Sequence, residues 1–154
     1  LLSSLDKLGA DCSGIVSLAG RPTTTKTRIV SQNQQMLRLD REENAPITGD
    51  AQQSIIRACE KSFRNCGAVI ISDYAKGVLT PAVLDAVIAL AKSAKVPLFV
   101  DPKGRDYSIY RGATLITPNR QELADATHSS AQTEDEIAAA AAKLCDAVKA
   151  KPTL

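Results

Sequence analysis

Three short apolar runs, each ending in a polar turn, constrain the fold of this chain more than any other feature. The first, residues 67–71, leads into Ser-Asp-Tyr-Ala-Lys-Gly at residues 72–77. The other two end in Asp-Pro-Lys-Gly at residues 101–104 and in Thr-Pro-Asn at residues 117–119. Such runs predict buried strands, and parallel α/β sheets bind ligands at the carboxyl ends of their strands. The pattern therefore predicts a ligand site, and phosphate handling is the first hypothesis.

Amphipathic segments separate the apolar runs and predict helices. Each begins at a polar cap or carries an apolar stripe; they are residues 51–64, a helix that begins at Pro81 after the N-cap Thr80, residues 120–126 after Asn119, and residues 134–149 after Thr133. Glu136 lies three residues after Thr133, which is the spacing of a capping box. Apolar strands separated by helices indicate an α/β fold with a mostly parallel sheet and helices on both faces.

The amino-terminal third has a different pattern, which predicts a small antiparallel unit. Residues 23–30 and 35–40 alternate in polarity around a polar turn, so they are expected to form a hairpin. In the second strand the faces alternate, with Arg38 and Asp40 on one side and Leu37 and Leu39 on the other. One face is therefore expected to be wet. Residues 15–18 are a further strand candidate.

Composition excludes several classes of function. The 154 residues carry a formal net charge of +2 and no dense basic block, so nucleic acid is not an expected partner. No apolar run approaches the roughly 20 residues of a membrane helix, so no membrane association is expected. The four cysteines form no Cys-x-x-Cys pair and there is one histidine, which favours free thiols in a reducing cytoplasm over a zinc site.

Five motifs, in this order, resemble those of the ribokinase-like (PfkB) carbohydrate kinases. They are Pro-Thr-Thr-Thr-Lys-Thr-Arg at residues 22–28, Asn-Gln-Gln-Met-Leu-Arg-Leu-Asp at 33–40, Ser-Asp-Tyr-Ala-Lys-Gly at 72–77, Asp-Pro-Lys-Gly at 101–104, and Tyr-Arg-Gly-Ala-Thr-Leu-Ile-Thr-Pro-Asn at 110–119. The resemblance implies a three-layer ribokinase-like fold with a small β lid. Within the family, the motifs are most similar to those of the heptose 7-phosphate kinases of lipopolysaccharide core synthesis.

That resemblance implies ATP-dependent, Mg²⁺-dependent phosphorylation of D-glycero-β-D-manno-heptose 7-phosphate to the 1,7-bisphosphate, on the route to ADP-heptose. It also implies an adenylyltransferase domain elsewhere in the full-length protein and a homodimer formed through the β lid. Lid strands are expected within about residues 14–42, and the α/β core over residues 50–154.

Two parts of the family pattern have no counterpart here. The amino-terminal strand with its Gly-Gly segment is missing, and so is the carboxyl-terminal Gly-Ala-Gly-Asp motif that supplies the anion hole and the catalytic base. No two of the eight glycines are separated by a single residue, which also excludes a Gly-x-Gly-x-x-Gly dinucleotide motif. We therefore expect the chain to be the central part of a kinase domain and to be inactive by itself.

For the ATP side of the site, the resemblance implies Asn119 and Glu122, the Asn-x-x-Glu motif that helps organise Mg²⁺ and the phosphates. Glu122 is expected to reach the metal through water. Lys103 and Asp101, after the second apolar run, are expected to contact phosphate or orient its ligands. The simpler interpretation is that Asn119 is a helix N-cap, Glu122 a first-turn acid, and Lys103 a solvated lysine.

For the sugar side, the candidate residues are Lys76, Asp73, Arg38 and Arg28. Lys76 is a flexible cation after a strand end, and Arg38 on the lid is expected to bind the 7-phosphate with help from Arg28. The simpler alternatives are a solvated lysine, a turn-capping Asp73, and ion pairs on a wet hairpin face that are worth less than about 1 kcal/mol. Tyr74 and Tyr110 are expected to be packing residues.

Two other functions remain open from the sequence. One is another sugar kinase of the same family, such as a ribose or fructose kinase. The other is a binding module that recognises a phosphorylated ligand without performing chemistry, which the missing anion hole favours for the isolated chain.

Overall fold

The computed structural model of the chain describes residues 1–149. In chain order its elements are α1 (Leu2–Asp6), β1 (Thr25–Ser31), β2 (Gln34–Arg41), α2 (Gly49–Ser62), β3 (Val69–Ser72), α3 (Pro81–Ala94), β4 (Leu98–Asp101), a 3₁₀ helix (Tyr107–Tyr110), β5 (Leu115–Ile116), α4 (Arg120–Thr127) and α5 (Glu134–Val148). From α2 to β5, helices and short strands alternate as the apolar runs predict, and the helices α4 and α5 follow.

The three apolar runs form one parallel sheet in the order β3-β4-β5. Val69 pairs with Leu98 and Phe99 with Leu115, so the strands run side by side without a reversal. Since all three strands point the same way, their carboxyl ends meet at one edge. This arrangement confirms the expected parallel α/β sheet and places the polar turns together.

The helices and the sheet enclose a single core. Helix α3 contributes Val83, Leu84, Val87 and Ala91, and β4 contributes Leu98 and Val100; all six are at most 5% exposed. Complete burial of one such aliphatic side chain stabilises the fold by about 1.5–3 kcal/mol. Helix α2 packs on α3, and α4 packs on α5. On the edge strand β3 the core is open on one side, where Ile70 is 74% exposed.

The helix starts are those that the caps predict. The Thr80 hydroxyl accepts a hydrogen bond from the Val83 amide at 3.3 Å. Thr133 and Glu136 form the complete capping box in front of α5. These caps satisfy amides that have no partner within the helix, so local chemistry fixes where each helix begins.

Strands β1 and β2 form the expected hairpin, but its exposure differs from the prediction. Every residue of both strands is exposed, and Leu37 and Leu39 on the supposedly covered face are 50% and 53% exposed. The expectation of a single wet face is therefore wrong for this chain, because no described element packs against either face of the hairpin.

Two local elements differ from the sequence expectation. Residues 15–18 form a loop instead of a strand, because they have no strand partner and lie between turns at Gly14 and Gly20. A 3₁₀ helix at Tyr107–Tyr110 was not expected; Asp106 caps it by accepting a hydrogen bond from the Ser108 amide at 2.9 Å.

Among residues 1–149, none of the helices combines the length and the apolar character needed to cross a membrane. The four cysteines, all within the described residues, are free thiols, as their spacing predicts.

Candidate functional site

The carboxyl edge of the sheet brings the polar turns into register. Ser72 pairs with Asp101, and the Asp73 amide donates to the Asp101 carbonyl at 2.9 Å. On the other side, the Thr117 amide donates to the Val100 carbonyl at 2.9 Å. The turns after β3, β4 and β5 thus start from one row of backbone hydrogen bonds.

Lys103, Asn119 and Glu122 meet at this edge, and we call them the Glu122 cluster. The Lys103 Nζ donates to Glu122 Oε1 at 2.8 Å, and the Asn119 amide donates to Oε2 at 3.0 Å. Asn119 Oδ1 in turn accepts from the Glu122 amide at 2.9 Å. The carboxylate is 15% exposed while Lys103 is 52% exposed, so the acid lies beneath an accessible cation.

The charges of the Glu122 cluster reinforce each other. The Lys103 hydrogen bond, followed by the Asn119 amide, holds the pKa of Glu122 below its ordinary value, and the same Glu122 contact raises the pKa of Lys103. Both groups are therefore charged at neutral pH. The ammonium group of lysine has three donors, so Lys103 can keep Glu122 and still donate to an incoming phosphate.

A buried phenol braces the two turns that carry the candidate lysines. Tyr110 is completely buried, and its hydroxyl donates to Asp73 Oδ2 at 2.6 Å. The Lys103 amide donates to the same phenol oxygen at 3.3 Å. Asp73 Oδ1 accepts from the Ala75 amide at 2.7 Å, so both carboxylate oxygens hold the turn. Tyr110 therefore packs as expected and also joins the turns, whereas Tyr74 is 67% exposed, so its expected packing role is wrong.

Lys76 lies apart from the Glu122 cluster, at the base of the hairpin. Its Nζ donates to Glu42 Oε1 at 2.6 Å, and this contact is the main reason why the pKa of Glu42 lies below its usual value. Glu42 Oε2 is buried without a hydrogen bond, 3.9 Å from Lys26 Nζ. The sequence interpretation missed Glu42, although Arg38, Asp40 and Glu42 continue one alternating face.

The lid residues form a charged face on the hairpin. Lys26 lies opposite Asp40 and donates to its Oδ2 at 2.8 Å, while Arg38 Nε donates to Oδ1 at 2.9 Å. These partners, Lys26 first, lower the pKa of Asp40. Arg28 lies directly opposite Arg38, and within residues 1–149 its guanidinium makes no hydrogen bond. Two neighbouring guanidinium groups, one of them unengaged, concentrate positive charge on this face.

The structure thus brings some predicted residues together and separates others. Lys103, Asn119 and Glu122 are in direct contact, with the exposed Asp101 nearby, where its charge helps to raise the pKa of Lys103. Lys76 pairs with Glu42 instead, and the link to the Glu122 cluster runs through Asp73 and Tyr110.

The donors of the Glu122 cluster are carboxylate and amide oxygens, which suit Mg²⁺. Each Glu122 oxygen already accepts one hydrogen bond and keeps a free lone pair, which can accept a hydrogen bond from a metal-bound water. In the described part of the chain, no three His, Cys, Asp or Glu side chains are grouped closely enough to hold a metal ion directly. The residues present therefore fit the water-mediated role expected for Glu122.

Arg21 is a second residue that the sequence interpretation missed. Its guanidinium donates to the carbonyls of Ala45, Glu43 and Lys76 at 2.8, 3.1 and 2.5 Å. Partners so distant in sequence leave no local pattern, so only the folded chain reveals this contact.

A parallel α/β domain with polar turns at its carboxyl edge belongs to the class of open-sheet proteins that bind ligands at that edge. The family model of the pfkB family carbohydrate kinases matches residues 1–151. The chain therefore belongs to the pfkB family of carbohydrate kinases.

Two relatives of this chain are bifunctional HldE proteins. That of Wolinella succinogenes is 48% identical over 127 residues, which cover 82% of this chain and 27% of the relative. That of Desulfatibacillum aliphaticivorans is 42% identical over 154 residues, which cover all of this chain and 32% of the relative. The chain thus spans about a third or less of the length of these curated relatives.

Solved structures share the fold at low sequence identity. Sa239 matches with a TM-score of 0.74 at 16% identity, covering 95% of this chain and 47% of that one. Phosphofructokinase-2 from Escherichia coli gives 0.63 at 19% identity, covering 85% and 43%. Ribokinase from Arabidopsis thaliana, solved with ribose and ATP, gives 0.56 at 21% identity, covering 83% and 40%. The fold of the chain is therefore ribokinase-like, as the motifs predict.

Proposed function

We propose that this chain is part of an ATP-dependent kinase that phosphorylates D-glycero-β-D-manno-heptose 7-phosphate at its anomeric hydroxyl. Support comes from the family membership, from the HldE relatives at 42–48% identity, and from the motifs shared with heptose 7-phosphate kinases. ADP-heptose synthesis and a cytoplasmic location belong to the same proposal.

The observation that carries the proposal is the Glu122 cluster at the carboxyl edge. Phosphoryl transfer depends on positioning and on neutralising the charge of the transferred group. Lys103, held at 2.8 Å from Glu122, is oriented and still has free donors for a phosphate oxygen. The first turn of α4 adds amides and the positive end of the helix dipole. These groups would bind the phosphates of ATP.

The second centre suits the sugar phosphate. Lys76 would contact the substrate from the base of the hairpin, with Glu42 fixing its position. Arg38 and the unengaged Arg28 would bind the 7-phosphate, because guanidinium groups can donate two hydrogen bonds to one phosphate. Asp73, whose carboxylate is engaged by Tyr110 and Ala75, would act by holding the turn of Lys76.

A Mg²⁺ ion bound with ATP would supply further neutralisation of phosphate charge, and the residues that would hold it are Glu122, through water, and Asp101. Within the described chain, these two residues add negative charge beside Lys103. Their part is to orient the cation and its water without binding the phosphate themselves.

We also propose that residues 1–154 are the central part of a longer kinase domain. The sequence contains no Gly-x-Gly-Asp segment, so the catalytic base and the anion hole would lie elsewhere in the full-length protein. The coverage of only 27–32% of the HldE relatives supports this. A chain limited to these residues would bind anions but not turn over substrate.

The test is an ATP-dependent phosphorylation assay on the full-length protein with heptose 7-phosphate as substrate. We expect Lys76→Ala to lower kcat/KM at least tenfold, about 1.4 kcal/mol of transition-state stabilisation. Lys61→Ala, an exposed lysine on α2, is the matched control and should leave kcat/KM unchanged. Turnover of ribose or fructose in preference to the heptose would replace the substrate assignment with another sugar of the same family.

One observation favours a second candidate, a phosphate-binding module without chemistry. At the carboxyl edge, the anion-binding groups among residues 1–149 are side-chain cations and the start of α4, and the sequence has no Gly-x-Gly backbone cradle. If the full-length protein binds heptose 7-phosphate but transfers no phosphoryl group from ATP, this second function replaces the kinase.

A further inference from the structure

A cluster of cations lies at the amino edge of the sheet, away from the Glu122 cluster. Lys92, Lys95, Arg111 and Lys149 line one open cavity of about 730 Å³, and we call them the basic basin. The cavity lies against Leu98, the first residue of β4, whereas Asp101 at the other end of β4 borders the Glu122 cluster. With a rise of about 3.3 Å per residue, the two sites are about 10 Å apart along the strand.

The fold gathers these cations from three separate elements. Lys92 lies in the last turn of α3 and Lys95 is its C-cap, while Lys149 is the C-cap of α5. Arg111 follows the 3₁₀ helix. The loop after Arg111 approaches α3 closely at Gly112, where φ is +102° and an added Cβ would lie 3.4 Å from Ile88 Cγ2.

Lysines at the carboxyl end of a helix usually compensate the negative end of the helix dipole. Here the dipole charge is too small to account for four cations. The carboxyl ends of α3 and α5 carry a partial charge of about −0.5 each, together about −1. Four full positive charges therefore leave an excess of about +3 around the cavity. No acidic residue is among the residues that line it, and within residues 1–149 none of the four cations forms an ion pair.

The rest of the lining indicates the kind of anion. The half-buried residues Ile88, Val96 and Pro97 give the cavity an apolar lining, and the cavity volume lies in the range of small-molecule sites. The charge excess of about +3 is greater than the −1.5 to −2 of one phosphomonoester at neutral pH, so a single phosphate group leaves the excess only partly neutralised. An organic ligand with an apolar part against this lining and more than one phosphate group near the cations matches both features.

We propose that the basic basin is a binding site for a multivalent organic anion carrying at least two phosphate groups. This site is separate from the carboxyl edge and does not depend on the kinase assignment. Neutralisation of the four cations supplies the attraction, and the apolar lining favours an organic phosphate over an inorganic one of equal charge.

The test uses the full-length protein, with inorganic pyrophosphate and fructose 1,6-bisphosphate as probes in calorimetric titrations at low salt. The double variant Lys95→Gln/Arg111→Gln should weaken the binding of both probes at least tenfold. The matched control, Lys61→Gln/Arg64→Gln, also removes two exposed cations and should keep the wild-type affinity. All four substitutions are on the surface, so they leave the core intact.

Hydrogen exchange with mass spectrometry locates the bound probe and separates this site from the proposed active site. We expect slower exchange of amides in residues 92–98 and 111–114 on addition of either probe, and loss of that protection in Lys95→Gln/Arg111→Gln. Protection confined to residues 72–77 and 101–104, or affinity unchanged in the double variant, would overturn the proposal. The proposed kinase activity would survive that outcome, because it rests on the opposite edge.

Discussion

Tyr110 shows how much one side chain can contribute beyond packing. A packing role is all that its sequence neighbourhood predicts, yet its hydroxyl also ties Asp73 and the backbone of Lys103 together inside the core. Burial, and then the Asp73 carboxylate, raise the pKa of Tyr110 above its ordinary value. Burial, and then the charges of Glu122, Asp125 and Asp101, raise the pKa of Tyr107 to about 12.

These shifts predict a loss of stability in alkali. A phenol with a raised pKa in the folded state contributes stability below the unfolded value of about 10, and this contribution is lost as the pH rises through the folded value. The urea midpoint of the protein should therefore fall between pH 9 and pH 11.5. In Tyr107→Phe/Tyr110→Phe the fall should be smaller, although the variant starts less stable by about 1.5–3 kcal/mol for the lost bond to Asp73.

Tyr74→Phe is the control for the alkaline experiment, since that ring is 67% exposed. It should show the wild-type pH dependence. An equally steep alkaline fall in the double tyrosine variant would contradict the role given to the buried phenols.

Prediction from sequence at the level of single residues succeeded where the contacts are local. Thr133 and Glu136 are three residues apart, and that spacing alone predicts the capping box that the structure contains. The Lys76–Glu42 pair and the Arg21 contacts span 34 and up to 55 residues of sequence, so no local pattern specifies them. The site residues that could not be predicted are those whose partners come from another element.

At the level of elements, the turn after β3 depends on a glycine. Gly77 has φ +73°, and an added Cβ would lie 2.1 Å from the Ala45 carbonyl oxygen and 2.8 Å from that of Asn44. The Gly77 carbonyl also accepts from the Ile47 amide at 2.8 Å. The turn and the segment after β2 therefore pass each other with no space for a side chain.

We predict that Gly77→Ala destabilises the protein by at least about 3 kcal/mol, since backbone strain of about 1–3 kcal/mol adds to a clash with main-chain atoms that cannot move aside. Denaturant unfolding measures the loss. Gly67→Ala is the matched control, because an added Cβ there meets nothing within 4 Å. Equal stability of the two variants would show that the crossing segments can separate without cost.

Elements with their own periodicity and caps were predictable, and those that depend on partners were not. Helices α3 and α5 begin where Thr80 and Thr133 predict. The candidate strand at residues 15–18 has β-favouring residues but no neighbour to pair with, so it remains a loop. The 3₁₀ helix at Tyr107–Tyr110 is capped by Asp106 and is too short to show a hydrophobic repeat, so the sequence pattern does not predict it.

At the scale of the whole molecule, the hairpin projects an apolar face that the described chain does not cover. Thr27 pairs with Leu39 and Ile29 with Leu37, and the three aliphatic side chains are 46–53% exposed. Such a face on a strand pair is suited to a second copy, in line with the homodimer through the lid that the family resemblance implies.

We predict that the full-length protein is a dimer and that Leu37→Lys/Leu39→Lys converts it to a monomer, because a dimer would bury these charges without partners. Analytical ultracentrifugation measures the mass. Gln34→Lys adds charge at the hairpin turn as a control and should preserve the dimer. A dimer that persists in the double leucine variant would place the subunit contact elsewhere.

Arg21 links the hairpin to the α/β part of the molecule. Its side chain donates hydrogen bonds to the carbonyls of Glu43 and Ala45, in the segment after the hairpin. It also donates to the Lys76 carbonyl, in the turn after β3. Arg21 therefore couples the hairpin to the turn, because neither can move alone unless these hydrogen bonds break. If the hairpin closes over a sugar, the turn that carries Lys76 would move with it. Binding of the sugar and placement of the Lys76 ammonium beside it would then be one movement.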